Sequence, residues 1–295
     1  MTALSLPNIA LPPRRRRLNV LIRWCRRYKV AAVAAGFLIL LILAASFAPV
    51  VSPYEPNEFV DGGVLKGPNS SQLLGGDELG RDILTRLIYG GRISLRISAS
   101  AVIAATVVGT MVGILSGMRG GVIDTGIQRI IDIMMVFPPL LLALLLVALS
   151  DPGITSITVA IAVPYVPVMV RVVRANVLAV KEYAYVEAAR SVGANSLRLS
   201  LQHILPNVLA PVLVLASVMA GTALIAEASL SFLGLSVPPP EPTWGGMLSG
   251  ASRQYFSRAP WMAIAPGVLI TLVVLSLNMF GDALRDSLDP RLRNR

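Results

Sequence analysis

The residues that could do chemistry in this 295-residue chain are few and badly placed for it. His203 is the only histidine and Cys25 the only cysteine, so neither a multi-histidine metal site nor a disulfide framework can form. The His-Glu-x-x-His spacing of a metalloprotease is absent, and so is Gly-x-Ser-x-Gly. Lys29, Lys66 and Lys181 are the only lysines, and none closes a Gly-x-x-x-x-Gly-Lys-Ser/Thr loop, so the chain lacks an ATPase site of its own. The acids and bases nearest its apolar stretches are Arg96, Arg129, Asp132, Glu227, Asp282 and Arg285. Ionisable groups in mid-membrane are costly and usually functional, but these six fall at the ends of those stretches, where interfacial positions or ion pairs account for them. A proton-driven carrier or membrane enzyme using Glu227, Asp132 and Arg129 is the alternative from another class.

The elements that would hold such residues are helices in lipid. Hydrophobic residues make up 55% of the chain and charged residues 14%, with a mean hydropathy of +0.70; a soluble domain carries about 25% charged residues. These figures exclude a disordered or collagen-like chain. Six stretches free of Asp, Glu, Lys and Arg approach or exceed the roughly 20 residues of a membrane crossing: 30–51, 97–118, 133–150, 152–170, 204–226 and 259–281. They do not alternate apolar and polar residues as barrel strands would, so they predict helices. The third and fourth are divided only by a turn at Asp151. With the N-terminus inside, 19 basic residues fall in inner segments and 6 in outer ones, which orients both termini towards the cytoplasm. The net charge of +10 is thereby assigned to topology beside anionic lipid, above all Arg14 to Arg17, rather than to nucleic acid. The first stretch is longer than a signal-peptide core and reads as a retained anchor.

Ala101, Ala105, Gly109, Gly113 and Gly117 recur every fourth residue, giving the second span a small face on which another helix can pack closely. A static bundle and a moving seam both fit that face. Pro138, Pro139, Pro164, Pro167 and Pro211 interrupt hydrogen bonding in spans three to five, as happens where backbone lines a cavity or faces protein. After Gly76, Asp77 reads as an N-cap, with Leu79, Ile83, Leu87 and Ile88 as the apolar stripe of an interfacial helix. Trp244 and Trp261 suit an aromatic belt.

Between spans four and five, residues 174–207 form the longest inner loop. Its first half is helical material with Lys181, Glu182, Glu187 and Arg190; Gly193 suits a left-handed helix end, and Asn195 or Ser196 an N-cap. A second short helix with Leu197, Leu199, Leu201 and Ile204 is expected to break at Pro206. Such an amphipathic knob fits a partner's groove or the membrane surface equally well.

Glu187-Ala188-Ala189, Gly193 and Ile204-Leu205-Pro206 resemble the "EAA" loop of bacterial ABC importer permeases, and His203-Ile204-Leu205-Pro206-Asn207 is similar to the version in the peptide/nickel branch. Residues 74–95, 227–248 and 281–291 resemble stretches of the dipeptide and oligopeptide permeases of the "C" kind. The resemblance covers roughly residues 20 to 291 and implies an all-α integral membrane protein: six transmembrane helices in the type I ABC importer permease fold, located in the bacterial inner membrane. It implies transport of dipeptides or oligopeptides, with nickel chelates or antimicrobial peptides as the alternative cargo.

The partners implied are a second, homologous permease, two ATPase subunits or domains that bind ATP and magnesium, and an extracytoplasmic binding protein; no cofactor is expected on this chain. Glu187, Ala188, Ala189, Gly193, Ala194, Leu197, His203, Leu205 and Pro206 would then form the coupling loop, and Asp77, Gly80, Arg81, Asp82 and Trp244 would help meet the binding protein. Together the readings divide the chain into a basic cytoplasmic N-terminus (1–29), an anchor (30–51), an extracytoplasmic loop with an interfacial helix (52–92), a five-helix core (93–284) containing the coupling loop (174–206), and a cytoplasmic tail (285–295).

Overall fold

The computed structural model describes residues 25–288; the basic run at Arg14 to Arg17 and the end of the tail lie outside them. The described residues are helical apart from turns and one isolated bridge between Gly76 and Asp82. Five helices are long and apolar enough to cross a membrane, and a bent pair makes the sixth candidate.

Helix α1 (Lys29–Ser46) turns Ala31, Ala34 and Ala45 inward, and a short α2 (Ala48–Val51) prolongs it. After a long loop, α3 (Ile83–Arg119) runs for 37 residues. No separate interfacial helix precedes it, contrary to the sequence reading. The cap is Asp82, whose Oδ2 accepts both the backbone N–H and the hydroxyl of Thr85 at 2.8 Å. Asp77 instead closes a tight loop, its Oδ1 accepting the N–H groups of Leu79 and Arg81 at 2.9 Å. Gly80, with φ +82°, carries the chain out of that loop in a left-handed conformation that a helix running on from Asp77 would not have at that position.

The third expected span is not one straight helix. α4 (Gly121–Val136) and α5 (Pro139–Ala148) meet at 90°. Pro138 holds Phe137 extended, with ψ 133°, and Pro139 is pre-set to start the next helix. Most of α4 is exposed, Ile131 being its only buried residue.

α6 (Ile154–Val180) keeps Pro164 and Pro167 inside an unbroken helix. The loop helices α7 (Ala184–Ser191) and α8 (Ser196–Leu199) follow, then a π turn (Ser200–Ile204) and α9 (Leu205–Phe232). The sequence places a helix break at Pro206, and the structure has none there. The wider π turn absorbs the residue that cannot donate a hydrogen bond, and helix runs from Ser196 to Phe232. α10 (Trp244–Met247) and α11 (Ala251–Gln254) lie in the next loop, before α12 (Trp261–Leu288).

The expected small face packs within this chain, against α6. A Cβ on Gly109, Gly113 or Gly117 would lie 2.5 to 2.7 Å from side-chain atoms of Met169, Val173 and Val177 respectively. Glycine is therefore required at all three positions for the helices to touch. Around this contact α3, α5, α6 and α9 share one buried cluster, while Ile83, Leu87, Leu224, Trp244, Met262 and Val273 form a second at the other end of the bundle.

Candidate functional site

At the end of the bundle where α6 leads into α9, the loop is a formed knob rather than a loose connection. Gly193, with φ +90°, ends α7: its N–H donates to the Arg190 carbonyl at 2.9 Å, and the Ala194 N–H reaches back to Ala189 at 3.1 Å. This paired pattern closes orphan carbonyls at the helix end, and the left-handed residue it needs favours glycine. Two residues on, the Asn195 side chain accepts the Arg198 N–H at 2.8 Å and starts α8. Val186, Leu199 and Ile204 turn into the same buried cluster as Val177, Val180 and Val208. The Tyr185 ring lies 6.1 Å from that of His203, bringing α7 beside the π turn.

The outer side of the knob is left uncovered. Val192 is 90% exposed and Leu197 68%, with Tyr183, Tyr185 and Leu201 also open. Of the residues singled out from sequence, Glu187, Ala188, Gly193, Leu197 and Pro206 are exposed, while Ala189, Ala194, His203 and Leu205 are half-buried beneath them. An exposed apolar patch with the exposed Glu187, Arg190 and Arg198 beside it has the character of a protein- or membrane-contact surface.

The opposite end is built differently. Asp77 accepts the Arg81 Nε–H at 2.6 Å, and the Gln72 amide donates to the Gly80 carbonyl at 3.0 Å. Arg86 donates to the carbonyl of Pro56 at 3.0 Å and to the side chain of Asn57 at 3.2 Å. Trp244 is wholly buried; its indole N–H donates to the Leu87 carbonyl at 2.8 Å and its backbone N–H to the Ser94 hydroxyl at 3.2 Å. It is a plug seated on Gly90 and Gly91, not a belt aromatic. Asp77, Gly80 and Asp82 are buried as well and Arg81 is half-buried, so this predicted docking set holds the loop together from within. A cavity of about 350 Å³ opens beside it, with Glu78, Leu79, Glu241 and the Pro239–Pro240 segment in its wall.

The relay candidates do not assemble. Glu227 is fully buried near the Trp244 end with no ion pair among the described residues, and its Oε1 accepts the Ser231 hydroxyl at 2.7 Å. Asp132 lies towards the other end, paired with Arg171 at 2.6 Å. No group of three or more metal-ligating side chains occurs among the described residues. A smaller cavity of about 280 Å³ lies between α5, α6 and α9, its wall including Pro139, Ala143, Pro164, Tyr165, Thr222 and Ser229.

Sequence reading missed a cluster at the knob end. Arg174 on α6 grips Asp124 on α4 through two hydrogen bonds, of 2.7 and 2.6 Å. The Ser116 hydroxyl at the foot of α3 also donates to Asp124, and the Gln128 amide donates to Ser116 at 3.0 Å. A signal existed: Asp124, Gln128 and Asp132 share one helical face, as do Arg171 and Arg174.

The arrangement of long helices, a bent pair and a knob between α6 and α9 is the type I ABC importer permease fold. It is similar to the permease in inward-facing conformations of the MetNI methionine ABC transporter, with a TM-score of 0.57, 19% identity, and coverage of 70% of this chain and 98% of that one. Residues 109–294 match the family described as the binding-protein-dependent transport system inner membrane component, and residues 22–68 match the N-terminal TM domain of oligopeptide transport permease C.

Full-length relatives agree. The dipeptide transport system permease protein DppC of Alkalihalophilus pseudofirmus is 40% identical, with 91% of this chain and 88% of the relative aligned. The di/tripeptide permease DppC of Pseudomonas aeruginosa is 43% identical over 88% and 87%. The glutathione permease GsiD of Shigella flexneri is 44% identical over 91% and 88%. The chain belongs to the binding-protein-dependent transport system inner membrane components: it is a multi-pass inner-membrane permease, a transport subunit and not itself an enzyme. That fold implies a transporter complex with ATPases and a binding protein.

Proposed function

We propose that this permease carries dipeptides or short oligopeptides into the cell, driven by two separate ATPase subunits, paired with a second, similar permease and supplied by an extracytoplasmic binding protein. The observation that carries the mechanical part is the formed, uncovered knob, joined to α6 by a short turn on one side and running into α9 on the other. The relatives' own cargoes, by name dipeptides, di/tripeptides and glutathione, support a peptide cargo over a nickel chelate.

In this reading residues 1–29 and 285–295 and the loop 174–206 face the cytoplasm. Residues 30–51 anchor the chain, 52–92 lie largely outside, and 93–284 form the moving core. Val192, Leu197 and the tyrosines enter a cleft on an ATPase subunit, with Glu187 and Arg190 at its rim. ATP and magnesium bind between the ATPase subunits, whose closure pulls the knob and swings the helices attached to it. Driving a two-state gate from 1:99 to 99:1 takes roughly 5.5 kcal/mol of differential binding, which nucleotide binding elsewhere supplies. A single chain of this size encloses no peptide-wide channel, hence the second permease.

Replacing Gly193 with Val tests this. The corner needs φ +90°, and a side chain there costs about 1–2 kcal/mol. The variant is expected to reach the membrane in normal amount yet lose peptide uptake and retain less ATPase subunit on purification. Normal uptake with a normally bound ATPase would contradict the coupling role.

A further inference from the structure

Helix α4 is held to the rest of the molecule in an unusual way. Only Ile131 along its 16 residues is buried, and its outward residues Val122, Ile130, Ile133 and Val136 are more than half exposed. It lacks the apolar seam that joins α3 to α6. What it has is polar. Asp124 receives the Arg174 guanidinium at two points, 2.7 and 2.6 Å, and the Ser116 hydroxyl as well, while Gln128 braces Ser116 at 3.0 Å. Two turns further along, Asp132 meets Arg171 at 2.6 Å. The Asp124 side chain is 14% exposed, so its charge is largely withdrawn from water and depends on these donors. The Asp132–Arg171 pair is about half exposed at both partners and contributes far less.

The position of this clasp matters more than its strength. Arg174 stands seven residues before Lys181, about 10 Å of helix from the start of the knob. Beyond the 90° bend, α5 packs on the far half of α6 through Ala143 and Val147, which join the cluster containing Ile157 and Ile161. The arm α4–α5 is thus fastened to α6 at two levels, apolar at the far level and ionic at the near one. A rigid α6 moved at its knob end carries α5 along by packing, but α4 follows only if the clasp holds. A bidentate Arg–carboxylate pair fixes orientation as well as distance, which a single lysine contact does not.

We propose that Asp124 and Arg174, with Ser116 and Gln128 bracing the carboxylate, are positioning residues of the transport cycle: they gear the bent arm α4–α5 to α6, so that displacement of the knob repositions the arm as well as α6. This rests on the coupling role proposed above, and the test separates the two.

The whole transporter, containing this chain, its second permease, its ATPase subunits and its binding protein, is reconstituted in proteoliposomes, and uptake of radiolabelled alanyl-alanine is measured beside ATP hydrolysis. Arg174→Ala is expected to lower peptide moved per ATP hydrolysed by roughly tenfold, within the range of coupling between distinct sites, with the complex still assembled. Arg174→Lys should fall between it and the wild type. The exchange Asp124→Arg with Arg174→Asp should regain part of the lost ratio, which a general packing defect would not allow. An unchanged ratio in Arg174→Ala overturns the proposal, and so does a loss of assembled complex that the exchange fails to repair. If the wild-type complex itself takes up no alanyl-alanine with ATP, the peptide reading fails, and the ratio is read with the cargo the binding protein does carry.

Discussion

The two ends of this bundle are built on opposite plans. At the Trp244 end, polar and aromatic groups are turned inward and partnered largely within the chain: Asp82 caps α3, Asp77 folds its loop around Arg81, and Trp244 spans from α3 to α10 by two hydrogen bonds, while Oδ1 of Asp82 and Oε2 of Glu227 find no partner among the described residues. At the knob end the backbone is equally well formed, but Val192, Leu197 and Leu201 point away from the protein. An apolar surface already folded into helices and left open suits the coupling role proposed for it, because its ordering cost would be met before a partner arrives.

Substitutions can break or sharpen this contrast, and the largest effect is expected at the Trp244 end. Trp244→Ala should cost about 3–5 kcal/mol, the usual loss for a buried aromatic in a core, read as a lowered Tm of the purified permease or failure to accumulate in membranes. An unchanged Tm would mean that the plug is dispensable. Next comes Gly113→Leu on the seam, where even a Cβ would meet Val173 at 2.7 Å. Forcing α3 from α6 should cost about 1–3 kcal/mol or more, and a Tm equal to wild type would show the helices free to part. Asp82→Ala removes a cap and should cost about 1 kcal/mol, with Asp82→Asn recovering most of it; equal losses in both would place the effect elsewhere.

The smallest change in stability is expected at the knob, where Leu197→Ala should stay within about 0.5 kcal/mol. That same variant should reduce co-purification of the ATPase subunit. A lowered Tm with full ATPase retention would reverse the assignment of the two ends.

Much of this was legible in the chain. The apolar stretches located the crossings, because lipid forces backbone hydrogen bonds to be made within a helix. The fourfold spacing from Ala101 to Gly117 marked a close contact, and Gly193 with Asn195 marked the corner between two short helices, since both rest on local geometry. What the local reading misjudged was decided by neighbours. Asp77 and Asp82 are both sound caps by type, and only the turn at Gly80 and the hydroxyl of Thr85 select Asp82. Pro206 reads as a stop until the π turn beside it is seen. Trp244 reads as an interfacial aromatic until Gly90 and Gly91 are found beneath it. Arg174 and Asp124, 50 residues apart, carried only a matching of helical faces.

Composition and short-range order therefore determined that this is a helical membrane protein, where its helices run and where its exposed corner lies, because span length, glycine φ and capping depend on a few consecutive residues. Tertiary structure alone decided which charges meet and which aromatic is buried. Those outcomes follow from the packing of segments far apart in sequence, where desolvation and steric fit leave one partner for each group.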